Sequence, residues 1–148
     1  MMCADSESTY GEPLFAAFPQ WRALARREVN RHGEEMVAID VSAPAAADVD
    51  EGLWITWGDG EITVGFGDYH QHFEGWLGDD SWLGENGAMA LVQGIIDERL
   101  AVATLFDDDE AVAYTMIETG ELSRPVVSDR SFNRIRARSW NGAFNADP

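Results

Sequence analysis

The segment Asp68-Tyr-His70-Gln-His72-Phe-Glu74 carries titratable groups at alternate positions. In an extended chain alternate residues share a face, so two imidazoles would stand between two carboxylates. A His-x-His pair with a carboxylate suits zinc, nickel or iron, and an open coordination position would activate water for hydrolysis. The ordinary reading is the end of a strand, with His70 and His72 hydrogen-bonded or exposed and Gly65 and Gly67 breaking the alternation. The chain has three histidines in all, so a fuller ligand set would draw on acids such as Asp68 and Glu74.

A second cluster is Arg134-Ile-Arg136-Ala-Arg138-Ser-Trp140. On a strand it projects three guanidinium groups onto one face with an indole beside them. Like charges so placed need anions. Those are either carboxylates of the same chain, in a cross-strand ion network, or a bound phosphate or carboxylate ligand gripped by arginine forks. Asp107-Asp-Asp-Glu110 lacks the spacing and the glycine of an EF-hand and reads as an exposed turn. No Ser/His/Asp constellation, nucleophile elbow or cofactor fingerprint occurs, so no cofactor is expected unless the histidines hold a divalent metal such as zinc.

The aromatic residues Trp76, Trp82 and Trp140, with Tyr69 and Phe73, fall among glycines and acids outside any clean core periodicity. Such residues serve as core packing or as binding anchors. With Asp79, Asp80, Glu85, Asp107, Asp108 and Asp109 they define a candidate partner-binding set, Trp76 and Trp82 being the anchors. Net charge is −17 over 148 residues. That charge argues against nucleic acid or an anionic membrane as a partner and in favour of a basic protein. Between His32 and Ser123 there are 21 acids against the single Arg99, and the chain contains no lysine. Adaptation of the surface to a salty cytoplasm accounts for the same acids without a partner. A partner site predicts acids focused around aromatics; salt adaptation predicts acids spread evenly.

The elements that must position these residues follow from pattern. Residues 1 to 12 read as a flexible tail and 13 to 148 as one α+β domain, since 45% apolar and 11% aromatic residues suffice for a core. A helix is expected from Phe18-Pro19-Gln20-Trp21, with Trp21, Leu24, Ala25 and Val29 as its stripe and Gly33 as its stop. Met36 to Val41 reads as a strand. Leu53 to Phe66 reads as a hairpin turning on Asp59-Gly60, which sets Trp57 opposite Ile62, Ile55 opposite Val64 and Leu53 opposite Phe66. A second helix spans roughly Trp82 to Arg99, followed by a hairpin of Ala101 to Phe106 with Ala111 to Ile117 and a last strand from Asn133 to Trp140. The order α-β-β-β-α-β-β-β implies a single, mostly antiparallel sheet of about five to six strands with both helices on one face. The polar, acidic N-terminus and the lack of a long apolar run place the protein in the cytoplasm.

Leu53-Trp-Ile-Thr-Trp, Glu61-Ile-Thr-Val-Gly-Phe-Gly-Asp-Tyr-His-Gln-His-Phe and Arg138-Ser-Trp-Asn-Gly resemble segments of small uncharacterised bacterial proteins of the toxin-immunity type. The resemblance implies a non-catalytic protein that binds a cognate toxin and blocks its active site, and it assigns no functional residues. Three expectations therefore stand side by side: an acidic binding protein that neutralises a basic, nuclease-like toxin, a metal-dependent hydrolase built on His70 and His72, and a ligand-binding domain with a salt-adapted surface.

Overall fold

The computed structural model describes residues 10–78, 80–121 and 134–146. Its elements are α1 (Glu12–Ala17), a 3-10 helix (Pro19–Leu24), β1 (Arg26–Val29), β2 (Glu35–Val41), β3 (Leu53–Gly58), β4 (Glu61–Phe66), β5 (Tyr69–Phe73), α2 (Ala88–Ile96), β6 (Leu100–Asp107), β7 (Glu110–Glu118) and β8 (Arg134–Arg138), with short 3-10 turns at Ala45–Ala47 and Thr119–Glu121. The fold is α+β.

The sheet expected to be single is divided. A five-stranded antiparallel meander runs β1-β2-β3-β4-β5, and a separate three-stranded sheet has the order β7-β6-β8. The central hairpin has the register its alternation dictates, with Trp57 opposite Ile62, Ile55 opposite Val64 and Leu53 opposite Phe66. Asp59 and Gly60 turn it with φ of 53° and 77°, the left-handed pair that a two-residue hairpin loop needs. All six of those apolar side chains are buried. A one-residue slip would turn them to the opposite face, so burial fixes the register.

The first expected helix is a correction. Only Glu12–Ala17 is α-helical, with Pro13 in the first turn; Phe18 leaves the helical region at φ −132°, and Pro19 opens a 3-10 turn. Of the supposed stripe, Trp21 is buried and stacks on Phe18 at 4.0 Å, while Leu24 and Val29 are 43% and 66% exposed. Residues 26 to 29 instead form a charged edge strand whose Arg26 bridges Glu28 at 2.7 Å and Asp40 at 2.5 Å. The reversal into β2 is made by Asn30, whose Oδ1 accepts from the His32 and Glu34 amides, and by Gly33 at φ 80°. Gly33 thus closes a hairpin rather than a helix.

The core lies between the meander and the elements before and after it. Phe15 of α1 meets Trp57 edge-on at 5.8 Å, and Trp57 meets Trp76 at 5.4 Å. Helix α2 buries Ala88, Leu91, Val92 and Ile95 and packs against β4 and β6, so it bridges the two sheets. Gly94 permits that closeness: a Cβ there would stand 2.5 Å from Leu100 Cδ1. Among the described residues no helix is long and apolar enough to cross a membrane.

Candidate functional site: a cleft at the junction of the sheets

The loop between β5 and α2 carries Trp76, Asp80 and Trp82 and is tied down at several points. Gly75 and Glu74 donate their amides to the Glu85 carbonyl, Trp76 accepts from the Met89 amide at 3.1 Å, and the Tyr10 hydroxyl donates to the Glu74 carbonyl at 3.0 Å. Tyr69 donates to Gln71 Oε1, and Gln71 in turn donates to the Trp82 carbonyl at 3.0 Å. Burial raises the Tyr69 phenol, which keeps it protonated as the donor of this pair. Tyr10, Gly11 and Glu12, at the end of the expected tail, are therefore built into the fold; residues 1–9 lie outside the described residues.

This loop walls a cleft of about 1060 Å³. Its apolar lining comes from Pro13, Ala16 and Ala17 of α1, Trp76, Leu77 and Trp82 of the loop, Met89, Ala90 and Gly94 of α2, and Leu100 of β6. Leu77 stands 67% exposed at its rim. Its polar lining is Asp80, Ser81, Gln93, Arg99, Glu118 and Thr119. Two carboxylates thus face one guanidinium, and Arg99 lies 3.6 Å from Asp97. Trp76 is 5% exposed, and its Nε1–H is buried with no hydrogen-bond partner. Trp76 therefore contributes its ring, not its donor, to the wall of the cleft.

No protein-family model matches the chain, and no curated protein or solved structure is found to match it. The site therefore rests on its own geometry.

Of the residues singled out for partner binding, Trp76, Asp80 and Trp82 converge on the cleft, and Glu85 stands exposed in the same loop. Asp79 lies outside the described residues. Asp107, Asp108 and Asp109 do not join them: they cap the far end of the β6–β7 hairpin, while Glu118 at its near end lines the cleft. Eight residues of strand separate the two by about 25 Å.

The arginine ladder has partners within the chain, an aromatic ring and a carboxylate, although among the described residues Arg134 Nε is buried without a hydrogen-bond partner. Arg134 and Arg136 lie over the Phe106 ring at 4.4 and 4.9 Å. Arg138 donates to the Asp48 carbonyl at 3.2 Å and to its carboxylate at 3.4 Å. Asp48, Asp50, Glu51 and Asp68 line a 320 Å³ pocket together with Arg136 and Arg138, so the surroundings of these two arginines are acidic. Trp140 is a core residue against Phe66 at 5.9 Å rather than part of that pocket.

The proposed metal ligands are dispersed. Asp68 sits in the β4–β5 turn facing the arginines, because the alternation begins only at Tyr69. His70 and His72 do share the outer face of β5, their rings 5.3 Å apart. His72 Nδ1 is taken up by Thr63 Oγ1 and Glu61 Oε1, both at 2.9 Å, and His70 packs toward Trp54. Glu74 follows the strand end and donates its amide into the loop. Among the described residues no three His, Cys, Asp or Glu side chains are grouped to hold a metal.

Sequence reasoning missed the cleft's far walls. Ala16, Ala17, Gln93, Arg99 and Glu118 come from four separate elements or their ends, and nothing local in their pattern marks them. The one available signal was Gly94, a glycine inside an apolar helix, which marks close packing.

Proposed function

We propose that the protein is a non-catalytic binding protein of the immunity type, which captures a basic, nuclease-like toxin through the cleft at the junction of its sheets. The observation that carries this reading is the convergence of Trp76, Trp82 and Asp80, with Glu118, on one cavity of mixed polar and apolar lining, in which the described residues carry two acids against one arginine. Aromatic anchors within an acidic rim suit a segment that presents an apolar side chain next to lysine or arginine. The net charge of −17 speeds encounter with such a partner and disfavours phosphate-rich ones. The acids at the hairpin tip act at a distance, steering rather than touching the segment in the cleft.

The test is an array of immobilised short peptides that set an apolar residue beside arginine or lysine, probed with the labelled protein. Retention is expected for wild type, to fall about tenfold or more in the Trp82→Ala/Asp80→Lys double variant, and to change little in Asp107→Asn/Asp108→Asn/Asp109→Asn at physiological salt. No retention by the wild type, or retention indifferent to the cleft substitutions, would overturn the reading.

A further inference from the structure

We propose that the outer face of the five-stranded meander binds a neutral saccharide, with one pyranose ring stacked on the Trp54 indole. This site is separate from the cleft and does not depend on it. Alternation sends Leu53, Ile55 and Trp57 into the core and turns Trp54 and Thr56 to the opposite face of β3. The register lays one row across that face: Asp40 of β2, Trp54 of β3, Gly65 of β4 and His70 of β5. The row beside it runs Arg26, Ala38, Thr56, Thr63 and His72. Gly65 decides how the indole lies. A Cβ there would run into the ring, nearest to Cε2 and farther from its bonded neighbours Nε1 and Cζ2. Entry in the plane of the ring would bring those neighbours closer than Cε2, so the Cβ would enter through the face, and the indole lies flat over the β4 backbone. Covering a strand glycine with a neighbouring aromatic accounts for the inner face of the ring. The other face is turned away from the sheet, and Trp54 is partly exposed.

Polar groups surround this platform. Among the described residues the Trp54 Nε1–H and the Thr56 hydroxyl have no hydrogen-bond partner, and unlike the Trp76 donor neither is sealed from solvent. The His70 ring stands 5.9 Å from the indole on the β5 side. On the β2 side a cavity of about 380 Å³ is lined by Trp54 and Thr56 with Asp40, Ser42, Arg26 and Glu28, a volume within the range of small-ligand sites. Arg26 holds Glu28 at 2.7 Å and Asp40 at 2.5 Å, so donors and acceptors stand side by side in fixed places. A sugar hydroxyl both donates and accepts and can bridge such a pair, whereas a simple ion pairs with one member and is repelled by the other. A pyranose with equatorial hydroxyls also presents a flat face of C–H groups, whose positive hydrogens suit the negative face of an indole. A stacked nucleic-acid base would bring phosphate, which a net charge of −17 repels. An apolar side chain would cover the ring and leave the polar groups around it unpaired.

The test is calorimetric titration of the full-length protein with cellotetraose, xylotetraose and maltotetraose. At least one is expected to bind saturably, with affinity falling about tenfold or more in Trp54→Ala and largely kept in Trp54→Phe, which retains a ring. Because Trp54→Ala also uncovers Gly65, a second readout uses the wild type itself. Its Trp54 indole N–H resonance, assigned by its loss in Trp54→Phe, is expected to shift with added sugar and saturate at the midpoint given by the heat. Absence of heat and of any shift with all three sugars overturns the proposal, as does sugar affinity indifferent to Trp54→Ala. A Trp54 resonance that answers to oligothymidylate or to an indole-bearing peptide, and to no sugar, also overturns it and gives the face to another occupant.

Discussion

The β3–β4 and β6–β7 hairpins are both antiparallel and both turn on acidic residues in the left-handed region, Asp59 in one and Asp108 in the other. In β3–β4 every second side chain is buried and the register runs without interruption from Leu53–Phe66 to Gly58–Glu61. In β6–β7 the register shifts between Leu105 and Phe106, so that Phe106 faces Ala111 and Val112 is the extra residue of a bulge. Beyond Met116 the outer strand is exposed from Glu110 to Thr115, with Val112 at 45% and Tyr114 at 42%. One hairpin is fixed along its whole length by a buried face. The other is anchored at its base, where Leu100, Val102 and Met116 join the core, and projects its acidic tip away from it. Burial, more than turn chemistry, decides which hairpin tolerates irregularity.

The sharpest way to break that comparison is to remove a side chain from the buried hairpin. Trp57 is fully buried between Phe15, Trp76 and the backbone at Gly11, where a Cβ would stand 2.5 Å from the indole. Trp57→Ala should cost about 3–5 kcal/mol, since the cavity left among three elements cannot collapse without moving α1. It should also disorder the cleft, because Trp76 leans on the same ring. Urea unfolding of the variant gives the number; a loss below about 1 kcal/mol would mean that the hairpin does not owe its regularity to burial.

This difference also explains what was readable in the sequence. The register of β3–β4 followed from alternation and Asp59-Gly60, both local signals with one outcome. The 3.6-residue spacing of Trp21, Leu24 and Val29 misled because it coincides by chance with a 3-10 turn and an edge strand; Pro19, Asn30 and Gly33 held the competing signal. Trp76, Asp80 and Trp82 stood out as aromatics and acids outside periodicity, and they do meet in space. The acids of the hairpin tip were grouped with them by charge alone, and charge says nothing of the length of strand between. The division into two sheets depends on where α2 crosses, a tertiary fact without a local mark.

A second prediction sharpens the contrast at the base of the projecting hairpin, which is latched by polar groups as well as packing. Glu98, in the left-handed region at φ 58° just before β6, accepts from Ser139 Oγ at 2.5 Å, from the Ala143 amide at 3.1 Å and from Asn141 Nδ2 at 3.3 Å. Asn145 continues the latch by donating to the Ala46 and Ala47 carbonyls. Burial works to raise the Glu98 carboxyl, but the donors from Ser139, Ala143 and Asn141 outweigh it and hold it below its ordinary value of 4.5. A depressed folded value means that the unfolded chain takes up the proton first. The stabilisation is therefore present above about pH 4.5 and is lost as pH falls through the lower folded value. Glu98→Gln should flatten the acid limb of the stability profile while lowering stability near neutrality. Parallel acid limbs for variant and wild type, measured by urea titration at a series of pH values, would remove Glu98 from the latch.

The smallest expected effect is on the exposed strand that leads to the tip. Tyr114 sits opposite Thr104 near the middle of β7, on the stretch where neither face of the strand is covered. Truncation to alanine removes a half-solvated ring and no described hydrogen bond, so Tyr114→Ala should stay within about 0.5 kcal/mol of wild type. The same reasoning makes amide exchange in Glu110–Thr115 faster than in Leu53–Phe66, because the tip can open without opening the core. A loss above about 1 kcal/mol, or equal protection of the two segments, would show that the projecting hairpin is coupled to the core along its whole length. The acids it carries could then not be moved independently of the cleft, and steering by the tip would be inseparable from capture in the cleft.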